Sequence, residues 1–491
     1  MNPTAAPPLP VEIWELVPPE AQALIQALLR ELREQQARIA ALEARLEILE
    51  ARLGQNSGNT SRPPSSDPPQ ASRRRRAEPS GRAPGGQPGH ERHVRMVQPV
   101  EEVDVIVDHW PATCEQCQQP LAPDPALEVD EPRRHQVSDI PPVRVEVTEH
   151  RRHGVRCPAC GHTTVAPLPS EVPAGAFGPR LQAIIALLSG RFRISRREVV
   201  ELSDELFGLR ISLGAVDDLC RATGVVLAEP VAEVSEAVRP AAHVNVDETG
   251  WKLRGQRYWL WVAVAAMATL FVISPSRGRK VLHDLIGADY PGYVGSDRYS
   301  AYSALPPERR QVCWAHLRRD FQSLVDYGGR ATLIGRLALS LTARLFHRWH
   351  QVRDDPVAWA GFAAEIGPLK AEFRALLEVG EQSPVDKVSG LCRSLLKVWP
   401  ALWTFTIVPG LEPTNNSAER AVRPGVLWRK GSFGTQSDAG SHFVARMLTV
   451  AATARQQGVP LLGYLTAVCV ATQRRQPIPS LLPAKALAQA A

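Results

Sequence analysis

His243-Val-Asn-Val-Asp247 is the stretch on which the reading of the fold turns, a short apolar run through Val244 and Val246 that ends in a carboxylate. Outward from it, Trp259, Trp261, Val262 and Val264 predict a second strand and Leu270 to Ile273 a third, with Ala265 to Thr269 as the turn. Val281, Leu282 and Leu285 share one face of a helix expected from about Arg279 to Ile286. Tyr293 and Val294 then lead through Gly295 and Ser296 to Asp297, and Val312 to Trp314 gives a short fifth strand before a helix near Ala315.

Three consecutive strands, a helix, then two more strands joined by helical crossovers is the order of a ribonuclease-H-like fold. There the first strand carries a carboxylate mid-sheet and the fourth ends in another beside it. Two Asp held together repel unless a cation lies between them. Carboxylates that hold two Mg²⁺ ions are the frame of two-metal phosphoryl transfer. A third carboxylate usually completes such a site, and Glu419 is the candidate, in Pro413-Thr-Asn-Asn-Ser-Ala-Glu-Arg-Ala-Val-Arg-Pro424. That segment reads as a helix start with Asn415 or Asn416 as cap. The spacing fits other readings as well: Glu419 stands three residues after Asn416 and four before Arg423, where a capping box or a helix ion pair would put it.

Farther out the modules differ in composition. Ile25, Leu28, Leu32, Gln35, Ile39, Leu42, Leu46, Leu49 and Leu53 step by three and four, a heptad seam that predicts a coiled-coil helix over 20–54 and self-association. Residues 55–95 are Pro, Ser, Gly and Arg, a composition that buries too little surface to fold alone, and are expected to be a disordered basic linker. Eight Arg lie between Arg62 and Arg95, among them Arg73, Arg74, Arg75 and Arg76, against Asp67, Glu78 and Glu91. Such a tract suits a polyanion, although a solvated spacer is an equal reading.

Residues 96–172 predict a small β module, with Val103, Val105 and Val107 and again Val143, Val145 and Val147 alternating as half-exposed strands. Its pairs Cys114-Glu-Gln-Cys117 and Cys157-Pro-Ala-Cys160 are expected to form a closed structural Zn²⁺ site rather than a redox pair. Residues 178–232 read as helical. The break at Phe207-Gly208 and the restart at Ser212 suit a helix-turn-helix that binds DNA, or equally a structural helix pair.

With 491 residues and 44% apolar content, the chain is too long for one core and not apolar enough for a membrane protein. Eight cysteines, with no secretory signal, suggest a reducing cytosol. The net charge of +6 is modest, so its distribution matters more than its sum.

At these residues the chain resembles transposases of the insertion sequence 66 type, within the DDE and retroviral-integrase superfamily. The likeness rests on Val246-Asp-Glu-Thr-Gly-Trp251, Ser296-Asp-Arg-Tyr-Ser-Ala-Tyr302, Cys313-Trp-Ala-His316 with Arg318-Arg319, and Asn415-Asn-Ser-Ala-Glu-Arg-Ala-Val-Arg-Pro424. Arg429-Lys430, the linker signatures Asn56 to Asp67 and Gly85 to His90, and the order of the modules extend it over roughly residues 20 to 475. One departure is Glu412-Pro413-Thr414, where an acidic residue just before the paired Asn would be expected.

The resemblance implies a DDE polynucleotidyl transferase that cuts transposon ends and joins them to target DNA. Its catalytic residues would be Asp247, Asp297 and Glu419, with Mg²⁺ or Mn²⁺ as cofactor. It implies a multidomain α/β chain whose ribonuclease-H-like domain covers 240–450, with a helical insertion at about 330–403 and a helical tail at 451–475. Arg420, Arg423, Arg429 and Lys430 would hold DNA phosphates. His316 would touch the scissile phosphate or DNA, or act as a structural hydrogen-bonding residue. The expected partners are double-stranded DNA, further copies of the chain and accessory element-encoded proteins, and the expected location is the bacterial cytoplasm, on the nucleoid. A nuclease that never joins strands and an inactive DNA-binding protein are the alternatives.

Overall fold

The computed structural model describes residues 10–53, 96–123, 133–173 and 175–483. The chain divides into two compact units, Met1–Ser72 with Arg151–Val200 and Ile211–Ala491, and Arg73–His150 with Glu201–Arg210. Residues 55–95, including Arg73, Arg74, Arg75 and Arg76, lie outside the described residues.

The larger unit is built on a mixed five-stranded sheet. Its strands are β3 (His243–Leu253), β4 (Gln256–Val264), β5 (Thr269–Ser274), β6 (Tyr293–Ser296) and β7 (Arg310–Val312), in the order β5-β4-β3-β6-β7. A two-stranded sheet of β1 (Gly154–Arg156) and β2 (Thr163–Val165) precedes it. Arg254 and Gly255, at φ 50° and 76°, make the tight turn between β3 and β4, as a two-residue hairpin requires. That hairpin pairs β3 with β4 as far as Leu253 opposite Gln256. The first strand therefore does not end at Asp247 as the apolar run suggested. Asp247 sits mid-strand, because the pairing with β4 rather than hydropathy sets the strand's length.

β6 and β7 join in parallel, β6 on β3 through Val244 opposite Val294 and β7 on β6 through Ser296 opposite Val312. The Arg279–Ile286 helix crosses from β5 to β6 with Val281, Leu282 and Leu285 buried, as its spacing predicted. At the outer edge, β5 is covered by the Asp438–Gln456 helix. Thr453 and Thr449 accept the backbone N–H groups of Thr269 and Phe271 at 3.1 and 2.9 Å, so these edge donors are satisfied. The Asn416–Ser432 helix packs on β3 and β4. Gly425 makes this possible, since a Cβ there would lie 2.1 Å from the Leu260 side chain.

Two cores result. Trp251, Leu260, Trp261, Leu282, Phe443 and Met447 belong to the one on the sheet. Trp314, Phe321, Leu345, Phe362, Phe373 and Trp403 belong to the second, within a helical segment. Its helices are Gly329–Val352, Pro356–Glu365, Gly367–Glu381 and Asp386–Lys397, in the place where the helical insertion was expected.

Before the sheet, helices run over Pro179–Ala186, Arg196–Phe207, Leu213–Val226 and Ala228–Val238. Ser212 caps the third of them by accepting the N–H of Ala215 at 3.1 Å. At the N-terminal end, Pro19–Leu53 is one helix on which Leu28, Leu32, Ile39, Leu42 and Leu46 are each more than half exposed.

The valine alternation around the cysteine pairs misled. Val103 to Val107 and Val143 to Val147 are not strands, and Val105, Val107, Val143, Val145 and Val147 are exposed. Alternation becomes a strand only when a partner takes up its backbone hydrogen bonds. Here the ladder lies instead at β1 and β2, flanking Cys157 and Cys160. Among the described residues, no helix is long and apolar enough to cross a membrane.

Candidate active site

Asp247 stands on β3 opposite Val262 and accepts the backbone N–H of Glu248 at 2.8 Å. Burial pushes its carboxyl well above the usual range, and the negative charges of Glu248, Asp297 and Glu419 push it further. Two of the carboxylates chosen from sequence, Asp297 and Glu419, thus act on the third, Asp247.

Asp297 follows β6 directly and accepts the N–H of Tyr299 at 2.8 Å. Its backbone carbonyl takes a 2.6 Å hydrogen bond from Arg310, a buried guanidinium whose pKa is lowered by that burial to about 10. β6 approaches β3 closely here because residue 295 is Gly; a Cβ would lie 2.1 Å from the Asn245 side-chain oxygen.

Glu419 arrives on the Asn416–Ser432 helix, whose start is fixed by three contacts. The N–H of Trp314 donates to the Pro413 carbonyl at 3.0 Å, and the N–H of Asn415 donates to the Cys313 sulfur at 3.2 Å. The Asn415 side-chain amide donates to the Val246 carbonyl at 2.8 Å. Asn415 occupies the N-cap position, yet its side chain makes no cap hydrogen bond. The expected Asn cap is therefore corrected: the amide is spent on β3.

The capping-box and Arg423 ion-pair readings of Glu419 are not what its carboxylate does. Its oxygens lie 3.5 Å from His316 Nδ1 and 3.7 Å from Arg319 Nη2. The departure at Glu412 leaves this arrangement intact: Glu412 is exposed, and Thr414 donates to it at 3.4 Å.

Sequence reasoning passed over Glu248. Its carboxylate is buried between the Tyr302 hydroxyl, which donates to it, and Arg277, whose Nε donates at 2.8 Å. Arg277 in turn lies over Tyr299 and Trp259, 3.6 and 4.6 Å from the ring centroids. Burial raises the Glu248 pKa while Tyr302 and Arg277 lower it. Nothing in local spacing marks Arg277 as the partner of a residue on another strand.

Of the expected phosphate contacts, Arg420, Arg423 and Lys430 are exposed. Arg429 is not free in the same way. Its guanidinium donates to the Gly250 carbonyl at 2.6 Å and is half-buried, which makes it a tie between helix and strand.

The two cysteine pairs fold alike. Cys114 N–H donates to the Gln119 carbonyl at 2.9 Å and Gln118 N–H to the Cys114 carbonyl at 2.9 Å. Cys157 and His162 at 2.8 Å, with Gly161 and Cys157 at 2.9 Å, repeat the pattern. Gln118 and Gly161 both take positive φ, 62° and 74°, at the same place in the turn. Backbone N–H groups of Cys117 and Gln116 hold the Cys114 thiol below its usual range, and those of Cys160 and Ala159 do the same for Cys157. Thiolates are the form that zinc takes.

The carboxylate centre fits a divalent cation on its own chemistry. A half-buried Asp next to like charges is costly to ionise unless a cation compensates. Among the described residues, Glu419 Oε1 is a buried atom without a hydrogen-bond partner, as are Asn415 Oδ1 and Ser417 Oγ on the same helix start. Among the described residues, Glu419 gathers within 4.8 Å of Cys313 and His316, and Asp247 and Asp297 do not join it in a group that close.

Comparison with known proteins accords with this geometry. Residues 174–442 match the transposase IS66 family, and residues 111–161 match the zinc-finger binding domain of transposase IS66. Residues 7–96 match a family of unknown function. The uncharacterised protein y4qI of Sinorhizobium fredii is 25% identical over 428 residues, covering 78% of this chain and 74% of the relative. A second, y4hP of the same organism, is 26% identical over 365 residues, covering 67% of this chain and 65% of the relative.

Proposed function

The chain belongs to the IS66 transposase family, and from that premise we propose that it is a DDE polynucleotidyl transferase. It would cut DNA at transposon ends and join the freed 3′-hydroxyl to target DNA. The observation that supports this reading is that the Asp247 carboxyl, pushed up first by burial and by Glu248, is pushed up further by the charges of Asp297 and Glu419, which come from separate parts of the chain. The strand order β5-β4-β3-β6-β7, with its antiparallel and parallel halves, supports a ribonuclease-H-like core.

The chemistry that divalent cations, Mg²⁺ or Mn²⁺, supply between such carboxylates is activation of a water or 3′-hydroxyl and neutralisation of the leaving oxygen. The protein's own part is placement. Asp247 is held mid-strand by the β3–β4 pairing, and Asp297 is fixed by the N–H of Tyr299. Glu419 is brought in by the bond from Asn415 to Val246. Arg420, Arg423 and Lys430, exposed on the helix that carries Glu419, offer cations to DNA phosphates without reading sequence.

The other modules serve assembly. The zinc-finger match spans both cysteine pairs, and we assign Cys114, Cys117, Cys157 and Cys160 to structural zinc. The exposed leucine seam of Pro19–Leu53 suits pairing with a second copy of the chain. The helices that flank Ser212 are candidates for reading transposon ends.

The test is cleavage of transposon-end DNA in Mg²⁺ by Asp247→Asn, Asp297→Asn and Glu419→Gln. Each is expected to bind ends as the wild type does and to give no nicked product. Nicking by Asp297→Asn at the wild-type rate would show the assignment to be wrong.

A further inference from the structure

Cys313, His316 and Glu419 form a cluster that phosphoryl transfer by three carboxylates does not require. A sulfur, a ring nitrogen and a carboxylate oxygen from these residues lie within 4.8 Å of one another. Cys313 stands at the N-cap of the Trp314–Tyr327 helix and is 1% exposed. Its sulfur takes the Asn415 N–H at 3.2 Å, which offsets only part of the burial that pushes this thiol up to about 11. His316 follows three residues later, on the same face of the first helical turn. Glu419 enters from the facing helix.

One distance sets this cluster apart from a hydrogen-bonded pair. His316 Nδ1 and Glu419 Oε1 are 3.5 Å apart, and among the described residues neither buried atom has a hydrogen-bond partner. A charge-assisted hydrogen bond would close to about 2.7–2.9 Å. Two ligands of one tetrahedral zinc, each about 2.0–2.2 Å from the metal, stand roughly 3.4 Å from each other.

We infer that Cys313, His316 and Glu419 are a binding site for a thiophilic divalent cation of the zinc class, distinct from the cysteine knuckles and sharing Glu419 with the catalytic centre. A mixed sulfur, nitrogen and oxygen set suits zinc, whereas Mg²⁺ takes oxygen ligands alone. Three protein ligands leave a fourth position for water. Because Glu419 serves both sites, zinc held here withdraws it from the carboxylate centre and inhibits cleavage. This last step rests on the catalytic reading of Glu419 proposed above; the binding site itself does not.

The experiment measures zinc per chain in the full-length protein, equilibrated with zinc and dialysed, for wild type, Cys313→Ser and His316→Gln. Each variant is expected to hold about one equivalent less than wild type while the knuckle zinc stays. A Co²⁺-loaded wild type should also lose part of its thiolate charge-transfer absorption in Cys313→Ser. In Mg²⁺-dependent cleavage, Cys313→Ser should need roughly tenfold more zinc for half-inhibition. Zinc content and Co²⁺ spectrum unchanged in both variants would overturn the site, leaving His316 and Arg319 as plain neutralisers of Glu419. Zinc content that falls while inhibition stays the same would overturn the sharing of Glu419. Full cleavage by Glu419→Gln would sink the catalytic reading and leave the zinc measurement standing.

Discussion

Asn415 donates its side-chain amide to the backbone carbonyl of Val246 across 2.8 Å, and so ties the helix that carries Glu419 to the strand that carries Asp247. The bond is buried, at 1% exposure of Asn415, and water does not replace it there. Asn415→Ala leaves the Val246 carbonyl unsatisfied and lets the helix start drift. A misplacement near 1 Å costs on the order of a hundredfold in rate. Single-turnover cleavage by Asn415→Ala should fall by about that factor, with DNA-end affinity unchanged in a filter-binding assay. Cleavage within twofold of wild type would mean that the tie does not position the site.

The Asp247 carboxyl gives the protein a pH signature. Its folded-state pKa is raised by burial and by the neighbouring carboxylates, so it lies above the unfolded value near ~3.9. The sign follows: its contribution to stability is complete below the unfolded value and is lost as pH rises through the raised folded value. Without divalent cations, Asp247→Asn should therefore melt several degrees above wild type at neutral pH, and the gap should close toward about pH 4. Saturating Mg²⁺ at about a hundred times its Kd should add about 2.7 kcal/mol to wild type and much less to the variant. Melting curves recorded across pH, with and without Mg²⁺, decide both points.

Glu248, next to Asp247, has a different task. Tyr302 and Arg277 hold its buried carboxylate, and Arg277 rests on Tyr299 beside Asp297. Tyr302→Phe removes one donor and leaves a buried carboxylate oxygen unpaired, at a cost of about 1–3 kcal/mol. Urea denaturation should show that loss, whereas Mg²⁺ affinity should hardly move. A lowered Mg²⁺ affinity with unchanged stability would instead make Glu248 a metal ligand.

The N-terminal helix carries a prediction of its own. Leu42, exposed on the Pro19–Leu53 seam, has the spacing of a coiled-coil core position. Leu42→Asp should lower the mass measured by light scattering to that of a single chain and leave the zinc content unchanged. A mass unaffected by the substitution would exclude pairing through this seam.

What the sequence made legible follows from where each signal resides. Strand order and the positions of Asp247 and Asp297 are written in local apolar runs, because a buried strand must be apolar wherever it lies in the chain. The length of β3 is not local, since it depends on β4 reaching Gln256 through the Arg254–Gly255 turn. Val143 to Val147 failed in the opposite sense, with the alternation present and the partner strand missing. The partners of Glu419 were hidden for a similar reason. His316 and Arg319 sit on another helix, about a hundred residues away in sequence, and helical spacing offered only Asn416 and Arg423. Family likeness supplied Glu419; packing supplied the reason it sits where it does.

The central claim is that Asp247, Asp297 and Glu419 act as metal ligands in DNA cleavage. Replacing each in turn by cysteine keeps a ligand but changes it from hard to soft, which Mn²⁺ tolerates better than Mg²⁺. The direct measurement is cleavage of transposon-end DNA by Asp247→Cys, Asp297→Cys and Glu419→Cys in each metal. Little or no product is expected in Mg²⁺ and partial recovery in Mn²⁺, at least for Asp297→Cys, at the partly exposed position that follows β6. Cleavage by all three variants at the wild-type rate in Mg²⁺ would contradict it.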